Sequence, residues 1–435
     1  MNVSENFKAF IDNLKIPENK AEIISSRYGR ITKTLNKKFR NTESEISNRL
    51  QVGSYGRFTG IKSISDLDML YIMPESKWES YDKKNGQKKL LNDTRDAIKT
   101  TYPQSIIKVD RCVVKVEYTD SHIDIQPVFE NDEDFKYPDT YNEGSWKITK
   151  PKKEILAMKD FTENKNKNLR NLCRMARAWK NKQGVQIGGL LIDTLVYNFL
   201  KQTSNFDDKS FGSYDEMSRD FFDYLRKQPK DQKEYSALGS NQRVKVKRSF
   251  THKAKKAYNL AVKAIEETDE KKQHEKWRDL FGRNFPKYQN EEVEAKATNT
   301  EFENTEEYIE DRYKIEIQYE LKIDCEVSQN GFRIAFLSDL LSKKQPLFTN
   351  KKLRFFIKNI ENLDVPLPYD IKWKVRNRGT EAIKRNCIRG QIEHGEKSGV
   401  KIENTNFKGE HFVECYIIKD NTVVAIDSID VPISI

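Results

Sequence analysis

The sequence predicts an α+β protein in three parts: a mixed sheet with helices, a helical segment, and a β-rich, sandwich-like tail. Three patterns predict it. Apolar residues recur at helical spacing over 5–48 and then give way to short β-rich runs. Helical spacing returns from 152 to about 290. Beyond 310 the alternation has the two-residue period of strands with one buried face.

In the first part, Ile23, Ile24, Tyr28, Ile31 and Leu35 fall on one side of the expected helix. The short run Leu50 to Val52 then meets Gly53-Ser54. DLDMLYIMP predicts a strand over Leu67 to Met73, stopped by Pro74. IIKVDRCVVKVEY (106–118) and HIDIQPVF (122–129) are further β-rich runs.

In the second part, NLRNLCRMARAWKNKQG sets Leu169, Leu172, Cys173, Ala176 and Trp179 in one helical stripe. GGLLIDTLVYNFLKQ continues as a more buried helix, opened by Gly188-Gly189. The stretch EEVEAKATNTEFENTEE (291–307) is acidic and nearly free of large apolar residues, so it reads as a linker or exposed loop. YKIEIQYELKIDCEV, IKWKV, HFVECYII and TVVAIDSI, separated by Gly and Asn turns, predict a separate β sandwich. The expected organisation is a core over 1–150, a helical domain over 151–290, a linker over 291–310 and a β-rich domain over 311–435.

Composition narrows the class. A chain of 435 residues exceeds one ordinary core. Apolar residues at 36% and charged residues at 33% fit a globular protein with a solvated surface. No stretch reaches the apolar length of a membrane span, and the N-terminus lacks a basic start followed by an apolar run. Five isolated cysteines argue against a zinc site or disulfide framework and for a reducing compartment, so a cytoplasmic location is expected. The net charge of +11 favours polyanionic partners. The basic run Arg243, Lys245, Lys247, Arg248, Lys253, Lys255 and Lys256 lacks interleaved aromatic pairs. A solvated helical face is therefore favoured there over a nucleic-acid surface.

The chemistry concentrates in one constellation. Successive strand residues face opposite ways, so Asp66 and Asp68 share a face while Leu67 and Met69 face the core. Two adjacent carboxylates repel unless a cation lies between them, and magnesium is held by one or two carboxylates plus phosphate oxygens. His122, Asp124 and Gln126 share a face of a second strand. If the two strands are neighbours, Asp124 is a third carboxylate at the same place, and three carboxylates can hold two metals. Upstream, Gly53 permits close approach of backbone to a phosphate and Ser54 offers a hydroxyl. A bare DxD would suggest no more than exposed strand-edge charges. The GS turn, the DxD opening an apolar strand and the later single Asp form a far more specific set. His122 reads as a hydrogen-bonded structural histidine, and no Ser-His-Asp or Cys-His arrangement supports covalent catalysis.

GSYGRFTGIKSISDLDMLYIMP resembles the signature of DNA polymerase β-like nucleotidyltransferases. Within them it is most similar to the bacterial cyclic-oligonucleotide synthases (CD-NTases) related to cyclic GMP-AMP synthase and oligoadenylate synthase. The matching residues are Gly53, Ser54, Tyr55, Arg57, Thr59, Ile61, Ser65, Asp66 and Asp68. HIDIQPVF resembles the strand bearing the family's third metal ligand, which falls on Asp124, and RAWKNKQG with GGLLIDTLVYNFL resembles its helical spine.

The resemblance implies Asp66, Asp68 and Asp124 as catalytic and metal-binding residues with two Mg2+ ions, or Mn2+. It implies nucleotide contacts from Gly53, Ser54, Arg57, Ser65, Lys180 and Asp193. It implies ATP, GTP or other nucleoside triphosphates as substrates, a cyclic di- or trinucleotide product with release of pyrophosphate, and a separate effector protein in antiphage (CBASS-type) signalling. The family's spine often carries a serine and a glutamate where this chain has Gly188-Gly189 and Asp193, which bears on nucleotide choice. The same first transfer would serve a linear oligonucleotide synthase or an RNA nucleotide-adding enzyme. A non-catalytic nucleotide sensor is a third reading, against which the three carboxylates speak.

KWKVRNRGTEAIKRNCIRGQI and GEHFVECYIIKDNTVVAIDSIDVPI resemble the C-terminal sensor domain of some bacterial nucleotidyltransferases of antiphage defence, which implies a nucleotide ligand there. Trp373 would stack on a base, and Arg376 and Arg378 would grip phosphate. A core tryptophan with solvated basic neighbours weighs equally. Alternation sets Trp373 and Val375 on one face and Lys374 and Arg376 on the other.

Overall fold

The computed structural model describes residues 2–288, 305–396 and 399–434. The first helix, α1 (Val3–Leu14), is capped by Asn2 and Glu5, whose side chains each accept from the other's backbone N–H. Its apolar side chains join the helical part rather than the sheet: Phe7 packs edge-on against Trp277 and Phe285. The helical core thus draws one helix from the N-terminus, ahead of the expected boundary at 150.

Next comes α2 (Glu18–Arg40), with Ile24, Tyr28, Ile31 and Leu35 buried. Ile23, expected on the same side, is 46% exposed. The helix ends at Asn41 in the left-handed conformation, so the helical spacing over 41–48 forms no helix.

The mixed sheet follows, with β1 (Arg49–Val52), α3 (Gly53–Gly56), β2 (Asp66–Ile72), α4 (Trp78–Tyr81), α5 (Gly86–Thr101), β3 (Ile107–Asp110), β4 (Val113–Glu117), β5 (His122–Asn131), β6 (Asp134–Asp139) and β7 (Ser145–Thr149). The strand order is β1-β2-β5-β4-β3, with β6 on β5 and β7 on β6. The run 106–118 splits into a hairpin at Arg111, which has a positive φ. β2 and β5 pair in parallel, and the other neighbours are antiparallel. Leu67, Met69, Ile123 and Ile125 are fully buried with side chains of α2 and α5. Burying each contributes about 1.5–3 kcal/mol, so a one-residue slip that reversed the faces is strongly disfavoured.

The helical part contains α6 (Pro151–Asn164), α7 (Leu169–Gln183), α8 (Gly189–Lys201), α9 (Tyr214–Arg226), a hairpin of β8 (Glu234–Ser236) and β9 (Arg243–Lys245), then α10 (Thr251–Glu266) and α11 (Glu270–Phe281). Trp179, Phe222 and Phe281 are among its fully buried side chains. α7 ends at Gly184 with φ +60. A Cβ there would stand 2.0 Å from the Ile426 carbonyl oxygen, so both the cap and the approach of the tail need glycine.

The tail contains β10 (Lys314–Ile315), β11 (Ile323–Gln329), β12 (Phe332–Phe336), β13 (Leu347–Phe348), β14 (Lys352–Ile357), β15 (Asp370–Arg376), β16 (Arg389–His394), β17 (Lys401–Asn404), β18 (Gly409–Lys419) and β19 (Thr422–Ser434). One sheet runs β10-β19-β18-β15-β16 with β13 beside β19, and the other runs β12-β11-β14-β17. Cys325, Val327 and Phe355 of one sheet meet Trp373, Cys415 and Ile417 of the other in a single core. The long alternation from 313 to 322 yields only the short β10, although Ile317 and Leu321 are buried.

The tail docks on the rest of the chain through ion pairs. Lys253 Nζ lies 2.6 Å from Asp427 Oδ1, Arg378 is held by Asp279, and Lys182 pairs with Glu414. The basic run is therefore partly an interdomain contact, and its expected solvated face is corrected for Lys253 and Lys256, which both reach β19. Most of the expected linker lies outside the described residues. Its end is packed: Ile309 is buried and Glu306 pairs with Lys374 and Arg376. Among the described residues, no helix is long and apolar enough to cross a membrane.

Candidate active site

The parallel pairing of β2 and β5 aligns Asp66 with His122 and Asp68 with Asp124. All four therefore share the sheet face opposite the buried Leu67, Met69, Ile123 and Ile125. His122 Nε2 lies 3.1 Å from Asp66 Oδ1. Lys115, opposite Asp124 on β4, places Nζ 3.6 Å from Asp124 Oδ1.

The electrostatics of the cluster are those of an anionic hole. Burial, then Asp66 and Asp124, push the Asp68 carboxyl up to about 7. Burial also raises Asp124, against the pull of Lys115. Burial acts the same way on Asp66, but the His122 bond together with the charges of His122, Lys115 and Lys180 outweighs it and holds that carboxyl below its ordinary range. Burial disfavours the His122 cation, yet Asp66 raises it overall.

Asp66, His122 and Asp124 each bring one ligand atom to within 4.8 Å of the others, an arrangement able to hold a metal ion. Asp124 Oδ1 is buried and makes no hydrogen bond. A hard dication would satisfy that oxygen and relieve the desolvated Asp68, so the residues present fit a divalent metal. His122, read as structural from the sequence, joins the carboxylates. Its place two residues before Asp124 on one strand face was the signal for it.

The turn after β1 stands directly over this cluster. Gly53 has φ +64, and a Cβ on it would lie 1.9 Å from Asp68 Oδ2. The half-buried Ser54 follows, and its carbonyl accepts from the backbone N–H groups of Thr59 and Gly60 at 2.9 and 3.0 Å.

Beneath the turn lies a buried ionic brace. Asp193, fully buried, accepts from Arg57 Nε at 2.9 Å, Thr59 Oγ1 at 3.0 Å and Arg177 Nη1 at 2.6 Å. Burial opposes its ionisation, but Arg177 and Arg57 outweigh burial and lower its pKa. Glu154 adds a second contact to Arg57 at 3.4 Å. Arg57 and Asp193, expected as nucleotide contacts, are corrected to positioning residues, because their charged atoms already satisfy one another out of solvent. Ser65 is also buried, and its carbonyl accepts from His122 N at 2.8 Å.

Lys180, on the last turn of α7, is half-buried. Burial, then Arg177, lower it to about 8, while Glu316 and Asp66 oppose that shift. Trp373 is corrected to a core residue. It is fully buried, and its Nε1 donates to the Gly399 carbonyl at 3.1 Å, so its ring offers no stacking face. Arg376 and Arg378 line a cavity between the tail and the helical part, away from the carboxylates.

Residues 1–162, which hold all three carboxylates, match the Second Messenger Oligonucleotide or Dinucleotide Synthetase domain. Residues 303–434 match the Adenylyl/Guanylyl and SMODS C-terminal sensor domain. The chain belongs to the second messenger oligonucleotide or dinucleotide synthetases. It is a nucleotidyltransferase carrying the family's C-terminal domain.

Among curated proteins none matches. Among solved structures, CdnC of E. coli MS115-1 bound to HORMA-deltaN is 16% identical, with a TM-score of 0.50, covering 65% of this chain and 98% of that one. CdnC with ATP is 17% identical with a TM-score of 0.49, covering 65% and 98%. CdnG of Bradyrhizobium diazoefficiens with GTP is 11% identical with a TM-score of 0.49, covering 64% and 96%. The likeness to the first is one of fold.

Proposed function

We propose that this synthetase joins nucleoside triphosphates, ATP or GTP among them, into a cyclic di- or trinucleotide with release of pyrophosphate, in a magnesium-dependent reaction. The observation that carries the reading is the register of β2 and β5, which sets Asp66, Asp68 and Asp124 on one face directly under Gly53. Bound magnesium, held by Asp66, Asp68 and Asp124 with manganese as a substitute, would neutralise the triphosphate and acidify the acceptor hydroxyl. The family domain over 1–162 supports that substrate class.

The chain's own residues supply position and a proton acceptor. Gly53 keeps the backbone of the turn against Asp68, leaving Ser54 and Lys180 to orient the triphosphate. Arg57, Asp193 and Arg177 brace that turn from below, paired with one another rather than with substrate. The Asp124 carboxylate, through the oxygen that a metal leaves free, takes the proton of the acceptor ribose hydroxyl. The hydroxyl oxygen bonds to the α-phosphorus as the bond to pyrophosphate breaks, and a last such transfer between the two ends of the linear intermediate closes the ring. The product would act on a separate effector protein in antiphage signalling of the CBASS type.

The test is incubation with Mg2+ or Mn2+ and all four ribonucleoside triphosphates. Pyrophosphate release and a phosphatase-resistant product identified by mass spectrometry are expected. Absence of pyrophosphate while the nucleotides bind normally would overturn the reading.

A further inference from the structure

The three carboxylates share their sheet face with two basic side chains. The registers that align the carboxylates also give each outer one a basic neighbour. His122 is the β5 partner of Asp66, and Lys115 is the β4 partner of Asp124. Asp68, on β2 beside Asp124, is the carboxyl that burial pushes up to about 7.

Lys115 Nζ stands 3.6 Å from Asp124 Oδ1, beyond hydrogen-bond length, and its side chain is 27% exposed. The contact is therefore one of charge alone, made by a flexible four-carbon stem with solvent on one side. That charge reaches across the cluster, where Lys115 helps to lower Asp66 and opposes the His122 cation.

Chemistry separates the two basic neighbours. A neutral imidazole has a lone pair and can stay beside a metal as a ligand. An ammonium has three donors and no lone pair, so Lys115 cannot ligate. Asp124 Oδ1 is also the buried oxygen that makes no hydrogen bond and that a dication would satisfy. Lys115 and a dication therefore contend for one oxygen, and like charges a few ångströms apart in a desolvated place repel strongly. Adhesion of β4 to β5 does not require the pair, because the backbone ladder already joins these strands. Lys108 is placed differently: it is the β3 partner of Lys115, and its Nζ bonds Glu117 Oε1 at 2.9 Å.

We propose that Lys115 is a positioning residue that stands in for the divalent cation on Asp124 and is exchanged for it when the site loads. With the site empty, Lys115 offsets the repulsion between Asp124 and its acidic neighbours and keeps the third carboxylate on the shared face. With the cation bound, the ammonium swings off Asp124 towards solvent. The exchange rests on the metal-dependent reading above and adds the side chain that the metal must displace.

The test titrates Mn2+ into the full chain without nucleotide and follows the free ion by electron paramagnetic resonance. Lys115→Met is expected to bind Mn2+ at least about fivefold more tightly than the parent, because a competing charge is gone. Its melting temperature in chelator is expected to fall by about 2 °C or more, because Asp124 is left without its cation. A merely structural lysine would lower the melting temperature without tightening metal. Lys115→Arg keeps the charge and should stay within about twofold of the parent affinity. Lys108→Met removes a charge of the same sign one strand away and should also stay within about twofold. A parent that binds no Mn2+ overturns the metal reading and the exchange together. A parent that binds Mn2+ while Lys115→Met binds it no more tightly, or while Lys108→Met tightens it equally, overturns the exchange alone. If Lys115→Met folds poorly, the parent decides: acetylation of Lys115 by acetic anhydride, read by peptide mass spectrometry, should quicken at least about twofold once Mn2+ is bound, and an unchanged rate overturns the exchange.

Discussion

Alanine at Gly53 disturbs the catalytic cluster without touching a carboxylate. Its Cβ would lie 1.9 Å from Asp68 Oδ2 and 2.8 Å from Asp68 Cγ. An unstrained carbon–oxygen contact is about 3.3 Å, so the turn and the carboxylate must separate by about 1.4 Å. The left-handed backbone at φ +64 adds about 1–2 kcal/mol of strain for any residue with a Cβ. A misplacement near 1 Å at a reacting centre costs about 100-fold in rate, equal to about 2.7 kcal/mol of barrier. Pyrophosphate release from mixed nucleoside triphosphates at saturating divalent metal is therefore expected to fall at least about 100-fold, while the melting temperature drops only a few degrees. Gly212→Ala is the control, because a Cβ there meets nothing nearer than Ser4 Cβ at 3.9 Å, and its rate should stay within about threefold of the parent. A Gly53→Ala protein within about tenfold of the parent rate would refute the argument that turn and carboxylate are sterically one unit.

Three other substitutions probe the same structure. Asp68 has a folded pKa raised from 3.8 to about 7, so it costs stability as pH rises through that window. Asp68→Asn should abolish pyrophosphate release yet stabilise the metal-free protein at about pH 8 by up to about 4 kcal/mol, read by thermal melting in chelator. Asp193→Asn leaves Arg57 and Arg177 buried without their shared anion and should cost about 3–5 kcal/mol; an unchanged melt would sink the brace. Burial works against Glu306, but Lys374 and Arg376 hold its carboxyl at about 2, below its ordinary 4.5. The roughly 3 kcal/mol this supplies is present above pH 4.5 and lost as pH falls towards 2, so the gap in melting temperature between parent and Glu306→Gln should close on acidification.

The carboxylate face was legible because strand alternation needs no partner: Asp66 and Asp68 against Leu67 and Met69 is a local pattern. The parallel neighbour that brings Asp124 beside Asp68 is a long-range fact, and only the family resemblance carried it. Arg57 and Asp193 were misplaced for the same reason. Each looks like an exposed charge in its own segment, and their mutual burial appears only when the turn after β1 meets α7 and α8. α1 was misassigned because an amphipathic helix announces a buried face but not which core receives it. Trp373 lay on the correct strand face, yet the sequence held core and ligand as equals until the second sheet covered it.

The Gly184 turn seats the Ile426 carbonyl on the end of α7. The last turn of that helix carries Lys180 and Lys182, about 200° apart around its axis. One faces the field of Asp66, and the other lines the cavity beside Glu414. Two charged neighbourhoods therefore share a single helix end. For any pair of ligands that bias such an end, reciprocity is obligatory: the factor by which one alters the affinity of the other is the factor returned.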